Sequence, residues 1–351
     1  MEFTKFILLL LSISLILNVV KSFEYDEKEL ESEDGMRMLY NRWRSHHKVQ
    51  GRRNLERFNV FKHNVQYVHQ SNKMNKPYKL NLNLFADYTV HEHASIYQSK
   101  TSHFLALQGP LKSTNQSYTH KDATNLPPRI DWRERNAVTP IEFQGECGSC
   151  WAFSAIAAVE GINAIVTGQL TRLSEQQLLD CDTAWNNACD GGLMEPAFKF
   201  IKEHGGIATD ESYPYKAKRV TCDKSKFGHH SVTLSGSEYL DGTEEALHKS
   251  VAHQPVTISV DSSSQDFMLY KEGVFTGACG LNNNHGMTVV GYDETKEGMK
   301  YWIVKNSWSE AWGEKGYMRI QRGTPQKEGI CGINKCAAIP LKDANTKNIE
   351  L

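Results

Sequence analysis

Gln144-Gly145-Glu146-Cys147-Gly148-Ser149-Cys150-Trp151-Ala152-Phe153-Ser154 sets two cysteines three apart among small residues. An apolar pattern at helical spacing follows at once: Ala152, Ala155, Ile156, Val159, Ile162 and Val166. A helix is predicted there, with Cys150 at or beside its N-terminus. The partial positive charge and free N–H groups of a helix start stabilise a thiolate and lower a thiol pKa. A buried structural cysteine needs neither. Cys150 is therefore expected to be a nucleophile, and the rest of the chain must supply its base.

The 351 residues leave room for a large core in one or two domains. The formal net charge of -1 gives no pull toward nucleic acid or an anionic membrane. Residues 1–22 stand apart. Lys5 precedes an apolar run over residues 6–20, broken by Ser12, Ser14 and Asn18, and the chain turns acidic at Glu24. This reads as a signal peptide cut near Ser22. A membrane anchor is the rival reading, but the run is short for a span. No later segment is expected to cross a bilayer. Secretory entry means an oxidising compartment, where most of the eight cysteines should pair. None lies in the first 146 residues, so the chain reads as two parts with different fates.

Residues 24–125 are polar and hold eight of the fourteen histidines: His46, His47, His63, His69, His91, His93, His103 and His120. Leu39 and Trp43, then Phe58, Phe61, Val65 and Val68, mark two amphipathic helices. Residues 81–87 alternate like a short strand. Residues 100–125 read as an exposed linker open to cleavage, with Asn115-Gln116-Ser117 a glycosylation acceptor triplet. Order resumes at Leu126-Pro127-Pro128. After the Cys150 helix, Ser174-Glu175-Gln176-Gln177 reads as a capping box. Further helices are predicted over 193–204, stopped by Gly205-Gly206, and over 243–253, ended before Pro255. Strand formers then dominate, with Val256, Ile258 and Val260 alternating and runs at 287–292 and 301–304. Helix first and strand later implies two packed subdomains.

A cysteine nucleophile needs a histidine in hydrogen-bond reach and a third group to orient it. Of the histidines in this part, His204, His229, His230, His248 and His253 sit in polar helix or loop contexts. His285 directly precedes the 287–292 strand. If that strand and 301–304 form a hairpin, positions summing to about 591 face each other, and His285 meets Asn306. An amide there can hold the imidazole. A hairpin with polar residues at its open end is the bland alternative; Trp308 and Trp312 nearby favour a cleft wall. Gln144, six residues before Cys150, fits an oxyanion-hole donor as well as it fits a surface glutamine. A redox Cys147-x-x-Cys150 pair would want a thioredoxin-like pattern, and a zinc site a second close ligand pair; neither is evident.

With these residues assembled, the chain resembles the papain-like cysteine endopeptidases, and among them the plant vignain group. The resemblance rests on residues 144–154, Asn284-His285-Gly286 and Tyr301-Trp302-Ile303-Val304-Lys305-Asn306-Ser307-Trp308. It implies an α+β fold with a helical subdomain and an antiparallel β-barrel-like subdomain about a cleft. It implies Cys150 as nucleophile, His285 as base and acid, Asn306 as orienter, Gln144 in the oxyanion hole and Trp308 as a shield. It implies substrate contacts from Gly191, Gly192, Leu193, Met194, Asn283, Asn284, Gly286, Trp308 and Cys336. The implied disulfides are Cys147–Cys189, Cys181–Cys222 and Cys279–Cys331, leaving Cys150 and Cys336 free. Residues 23–125 resemble an inhibitory propeptide, 126–340 the catalytic domain and 341–351 a tail. In it Arg57, Phe61, Asn64, Val68 and Asn72 share one helical face, and the segment that follows is implied to run through the cleft.

The expected activity is peptide-bond hydrolysis through a Cys150 thioester, without cofactor or metal. The expected product is a monomeric zymogen activated by acid, whose partners are protein and peptide substrates, its own propeptide and cystatin-like inhibitors. Vacuole, endoplasmic-reticulum-derived vesicle and secretion are all open destinations. A non-catalytic storage protein would be expected to lack Cys150, and an exopeptidase would need a cleft-blocking insertion. Departures from the family pattern are Arg53, Asn81, Glu142-Phe143 and Ser309, with Asn283 and Cys336 expected in the pocket for the second substrate side chain. The final Asn-Ile-Glu-Leu shares two residues with a Lys-Asp-Glu-Leu retrieval signal.

Overall fold

The computed structural model describes residues 23–49, 55–99, 118–228, 232–277 and 279–343. Residues 1–22, Arg53, His103, Asn115, His229, His230 and the final 344–351 lie outside the described residues. The chain divides into two compact units at residues 52 and 53.

In the first unit, Asp26 and Glu29 form a reciprocal cap on the 3-10 turn Glu27–Leu30. Ser32 then caps α1 (Glu33–His46) by accepting from the Gly35 N–H. The predicted apolar stripe is there: Met36, Leu39, Tyr40 and Trp43 are buried.

The second unit starts with α2 (Leu55–Lys73), β1 (Tyr78–Leu80) and α3 (Val90–Tyr97). The expected strand at 81–87 is instead a turn, and the strand lies just before it. The asparagines explain this. Asn83 Oδ1 takes the Phe85 N–H and its Nδ2 donates to the Met268 carbonyl, so the backbone folds over rather than extending. Asn64 on α2 seals the turn by donating to the carbonyls of Ala86 and Tyr88. Asn72 clamps Leu80 at both its N–H and its carbonyl. Arg57, on the same helical face, reaches the Asp87 carbonyl and pairs with Glu92.

The chain continues through β2 (Ile130–Asp131), α4 (Cys150–Thr167), α5 (Glu175–Cys181) and α6 (Met194–Glu203). β3 (Gly236–Tyr239), α7 (Glu244–Val251), β4 (Val256–Val260) and α8 (Gln265–Met268) follow. β5 (Tyr270–Phe275), β6 (His285–Glu294), β7 (Lys300–Lys305), β8 (Tyr317–Gln321) and β9 (Ala337–Leu341) complete it. The fold is α+β, helical first and β-rich later as expected. The strand order is β1-β5-β8-β7-β6-β4-β9-β3, with β2 on β6. Only β5–β8 pairs in parallel among these. β1 belongs to the N-terminal part yet extends the sheet through β5, an addition the sequence pattern did not reveal.

α4 threads the helical core among Leu178, Leu179, Phe198, Ile201 and Ile207. By length and composition it is apolar enough to cross a membrane, contrary to expectation, but 83% of it is buried inside the protein. It is a core helix whose apolar faces are covered by neighbours. The capping box is only half made: Ser174 accepts from Gln177 N–H, while Gln177 Oε1 is spent on Ala208. β4 is buried on both faces rather than alternating, since Thr257 satisfies its hydroxyl on the Ala338 carbonyl. Cys147–Cys189, Cys181–Cys222 and Cys279–Cys331 are all bonded, and Cys150 and Cys336 are free. The described end of the expected linker is not simply exposed. Tyr118 is buried, Thr119 donates to Glu238, and His120 stacks on His253 at 4.3 Å.

Candidate active site

Cys150 is the first residue of α4, as predicted, and His285 is the first residue of β6. The two elements meet closely at Gly286. A Cβ on Gly286 would stand 3.1 Å from the Cys150 carbonyl oxygen. Ser154 Oγ donates to the Met287 carbonyl at 2.5 Å, and Thr288 Oγ1 donates back to Ser154 O at 3.2 Å. These bonds pin the start of the strand to the first turns of the helix.

His285 Nε2 bonds to Asn306 Oδ1 at 2.7 Å. The pair is the expected one, but not by the expected register. Thr288 faces Lys305 and Tyr292 faces Trp302, so the hairpin is displaced by two to three residues, with an irregularity between Val289 and Gly291. At the site end His285 pairs with Val260 on β4 instead. Asn306 has left the β6 ladder, donates its N–H to the Gly316 carbonyl, and reaches His285 through its side chain alone. The same Oδ1 accepts the Ser307 N–H at 2.8 Å. Trp308 is fully buried with its ring 4.5 Å from that of His285. It is placed to keep water from the His285–Asn306 bond.

Both reactive groups are covered. Cys150 is 0% exposed and His285 1%. Burial pushes the Cys150 thiol up to about 11, although the N–H groups of Gly286, Trp151, Ser99 and Cys150 favour the thiolate. Burial also pushes His285 down to about 4, against the bond from Asn306. The helix start does act on Cys150 as expected, but desolvation outweighs it while the site is covered. In this closed state the pair is uncharged.

The cover is the end of α3 and the residues after it. Gln144 is completely buried, not a surface glutamine. Its Nε2 donates to the Tyr97 carbonyl at 3.0 Å and to the Cys147 carbonyl at 2.7 Å. Its Oε1 accepts from Ser307 Oγ at 2.7 Å. Ser99 donates its N–H to the Asn284 carbonyl at 2.8 Å, and its hydroxyl accepts the Gly192 N–H at 3.2 Å. The N-terminal segment thus occupies Gln144, Gly192 and Asn284 together. Glu142 pairs with Arg172, and Phe143 stacks on Tyr97 at 6.3 Å.

The expected substrate contacts divide. Gly191-Gly192-Leu193-Met194 follows Cys189, which is bridged to Cys147; Gly192 lies against the Trp151 ring, and Leu193 occupies the N-cap position of α6. Asn283 turns its amide nitrogen to the carbonyls of Ser259 and Gly332, at 2.7 and 3.1 Å, so its donor is spent on backbone. Cys336 is buried, and burial raises its thiol pKa.

Sequence reasoning missed Asn186. Its Oδ1 accepts the Leu193 N–H at 2.6 Å, while its Nδ2 donates to Asp182 at 2.5 Å and to Leu193 O at 3.3 Å. It sits under Gly192, where any Cβ would fall 2.4 Å from Asn186 Oδ1. Burial pushes the Asp182 carboxyl up to about 6. Ser307 was also missed, although its place after Asn306 was a signal. Nothing local marks Asn186.

The sequence profile described as papain family cysteine protease matches residues 126–341. That of the cathepsin propeptide inhibitor domain (I29) matches residues 40–93. Vignain of Ricinus communis is 51% identical over 347 residues, spanning 97% of this chain and 96% of its own. The KDEL-tailed cysteine endopeptidase CEP2 of Arabidopsis thaliana is 51% identical over 343 residues, spanning 96% and 95%. The crystal structure of the ragweed pollen allergen Amb a 11 cysteine protease in its proform superposes with a TM-score of 0.88 at 51% identity, covering 92% of this chain and 99% of that one.

Proposed function

Because this chain belongs to the papain family of cysteine proteases and carries the family's propeptide inhibitor domain, we propose that Cys150, His285, Asn306 and Gln144 carry out its endopeptidase reaction. The observation that carries this reading is the His285–Asn306 bond beneath Trp308, at the strand end that closes on the Cys150 helix start.

Once the prosegment leaves, water reaches the Cys150–His285 pair and the desolvation that holds it neutral is relieved. The proton moves from Cys150 to His285, leaving thiolate and imidazolium. The thiolate attacks the scissile carbonyl carbon. The oxyanion takes the Gln144 Nε2–H now spent on the Tyr97 carbonyl, with the Cys150 N–H as second donor. His285 gives its proton to the leaving amine as the C–N bond breaks, and a thioester remains. Water, deprotonated by His285, attacks the thioester; the carboxylic acid departs and Cys150 is regenerated. Asn306 holds the ring at Nε2 throughout, which leaves Nδ1, unpartnered among the described residues, for the sulfur side.

Gly191, Gly192, Leu193, Met194, Asn283, Asn284, Gly286, Trp308 and Cys336 would form the substrate surface. Prosegment contacts at Gly192 and Asn284 support two of them. The same contacts support an autoinhibitory prosegment that blocks the cleft until acid loosens it. Residues 1–22 as signal peptide, entry to the secretory pathway, maturation near residue 125, a monomeric product and cystatin-like inhibitors complete the proposal.

Titration with a thiol-specific epoxide tests it. The acid-treated protein should bind one equivalent and hydrolyse peptides. Cys150→Ala should do neither. Labelling that survives in Cys150→Ala, at Cys336 for example, would reject the assignment.

A further inference from the structure

His93 lies on α3 with its ring completely enclosed, 1% exposed. Phe85 at 4.5 Å, Tyr97 at 5.1 Å and Trp308 at 4.6 Å form the walls. Its Nε2 finds no hydrogen-bond partner among the described residues. The charged and titratable neighbours offer no relief. Glu92, next on α3, is engaged by Arg57 and Thr89, and His91 points to solvent. Asp87 and Tyr88 precede the helix, and Arg57 is held at the Asp87 carbonyl. Asp266 on α8, which packs against α3, is engaged by Tyr67, Tyr78 and Lys76. From the catalytic side comes His285, and a charge on it repels one on His93.

We propose that His93 is the acid trigger of this zymogen: a neutral imidazole seated against Trp308 and His285, whose protonation undocks α3 and draws the 97–99 cover out of the cleft. The proposal rests on the acid-activated reading above and names the group responsible.

The sign follows from linkage. Burial, reinforced by His285, pushes His93 down to about 3 while docked. Released into water, the ring titrates near about 6.5. The released state binds the proton more tightly. Docking is therefore intact above about pH 6.5 and weakens by up to about tenfold per pH unit as pH falls toward the docked value. Between pH 6.5 and 5 this amounts to about 15-fold, because the released ring is already half protonated at pH 6.5. His285, pushed down to about 4 by the same burial, acts with the same sign and supplies a residual pH dependence. Asp266 acts elsewhere. Burial opposes its charge, but Tyr67, Tyr78 and Lys76 outweigh this and hold the carboxyl below its usual range. Its contribution to docking begins to be lost only as pH falls through the ordinary carboxylate value of 3.8, at the acid end of the histidine window and below the pH 5 to 7 comparison. His63, His69 and His91 are partly or wholly exposed and lack such an enclosure.

The test compares autoprocessing of wild-type and His93→Phe proenzyme from pH 4 to pH 7. Phenylalanine keeps a ring of similar size and cannot titrate, and residue 93 is absent from the mature enzyme in both cases. Wild type should process faster at pH 5 than at pH 7, and His93→Phe should lose about tenfold of that ratio. A His93→Phe profile that tracks wild type overturns the trigger and leaves acid activation standing. Equal wild-type rates at pH 5 and pH 7 overturn acid activation and the trigger with it. Should His93→Phe misfold, NMR titration of His93 in Cys150→Ala proenzyme decides. A ring that stays neutral to pH 5 while docked supports the proposal; one that titrates near 6.5 without undocking refutes it.

Discussion

Ser307 Oγ donates to Gln144 Oε1 at 2.7 Å, and the Gln144 N–H donates to the Ser307 carbonyl at 2.9 Å. The residue after the histidine orienter therefore also sets which way the Gln144 amide faces. With Oε1 held by a donor, Nε2 is the end left to donate, here to the Tyr97 and Cys147 carbonyls. Replacing Gln144 with Ala removes an oxyanion donor and should lower kcat by about 10²–10³-fold. Ser307→Ala leaves the donor present but unheld, so its loss should be smaller, about tenfold. Steady-state kinetics of the two matured variants checks the ranking; an equal or larger loss for Ser307→Ala would contradict it.

Asn306 grips His285 by one hydrogen bond, on a ring packed against Trp308. Asn306→Ala should reduce kcat/KM by about 10²-fold or more, within the range for misplacing a general acid–base. Asn306→Gln should not restore it, since the longer amide cannot keep the 2.7 Å contact without moving Trp308. A variant within threefold of wild type would assign the orientation to Trp308 alone.

Asn186 holds Leu193 at both its N–H and its carbonyl, and so fixes the backbone beneath Gly192. Asn186→Ala should raise KM about tenfold and change kcat little if that backbone belongs to the proposed substrate surface and not to the reacting groups. Thermal unfolding of the same variant separates this from a general loss of stability. A fall in kcat at constant KM would argue against a positioning role.

Asp266 collects Tyr67 Oη at 2.6 Å, Tyr78 Oη and Lys76 Nζ at 2.9 Å, all from the prosegment. One catalytic-domain carboxylate thus anchors β1 and α2. Removing its charge should cost docking about 2–5 kcal/mol. Asp266→Asn proenzyme should therefore process at least tenfold faster at pH 7, followed by gel densitometry. An unchanged rate would make the anchor dispensable.

Ser309 adopts φ 68°, in the region that favours glycine. Its hydroxyl recovers part of the cost by accepting the Ala311 N–H at 3.0 Å. A non-glycine residue there costs about 1–2 kcal/mol. Ser309→Gly should stabilise the protein by about 0.5–1 kcal/mol net of that bond, raising Tm by about 2 °C. A lower Tm would mean the hydroxyl bond outweighs the strain.

Much of the local structure was legible in the chain. Leu39 and Trp43, Phe58 to Val68, and Ala152 to Val166 carry helical periods, and all three lie on helices. The failures have physical causes. Residues 81–87 alternate, but Asn83 binds its own turn more favourably than a strand would. Val256, Ile258 and Val260 alternate with polar residues, yet β4 is buried on both faces, because the Thr257 hydroxyl finds the Ala338 carbonyl. The β6–β7 register is set by where the turn falls: Glu294 already faces Lys300, three positions off the expected sum, and the irregularity near Val289 takes back only one of them.

Residue type and short-range spacing alone determined the Cys150 helix start and the buried stripes of α1, α2 and α4. These follow from propensities and from chemistry carried within a few positions. Which groups meet was decided by tertiary packing. Cys150 and His285 are joined by β6 closing on α4 at Gly286. Asp266 gains three donors from a segment almost two hundred residues earlier. His93, one of eight N-terminal histidines, is enclosed because α3 docks on Trp308. A side chain's titration depends on the solvent and charges it loses, and those are properties of the folded neighbourhood, not of its place in the chain.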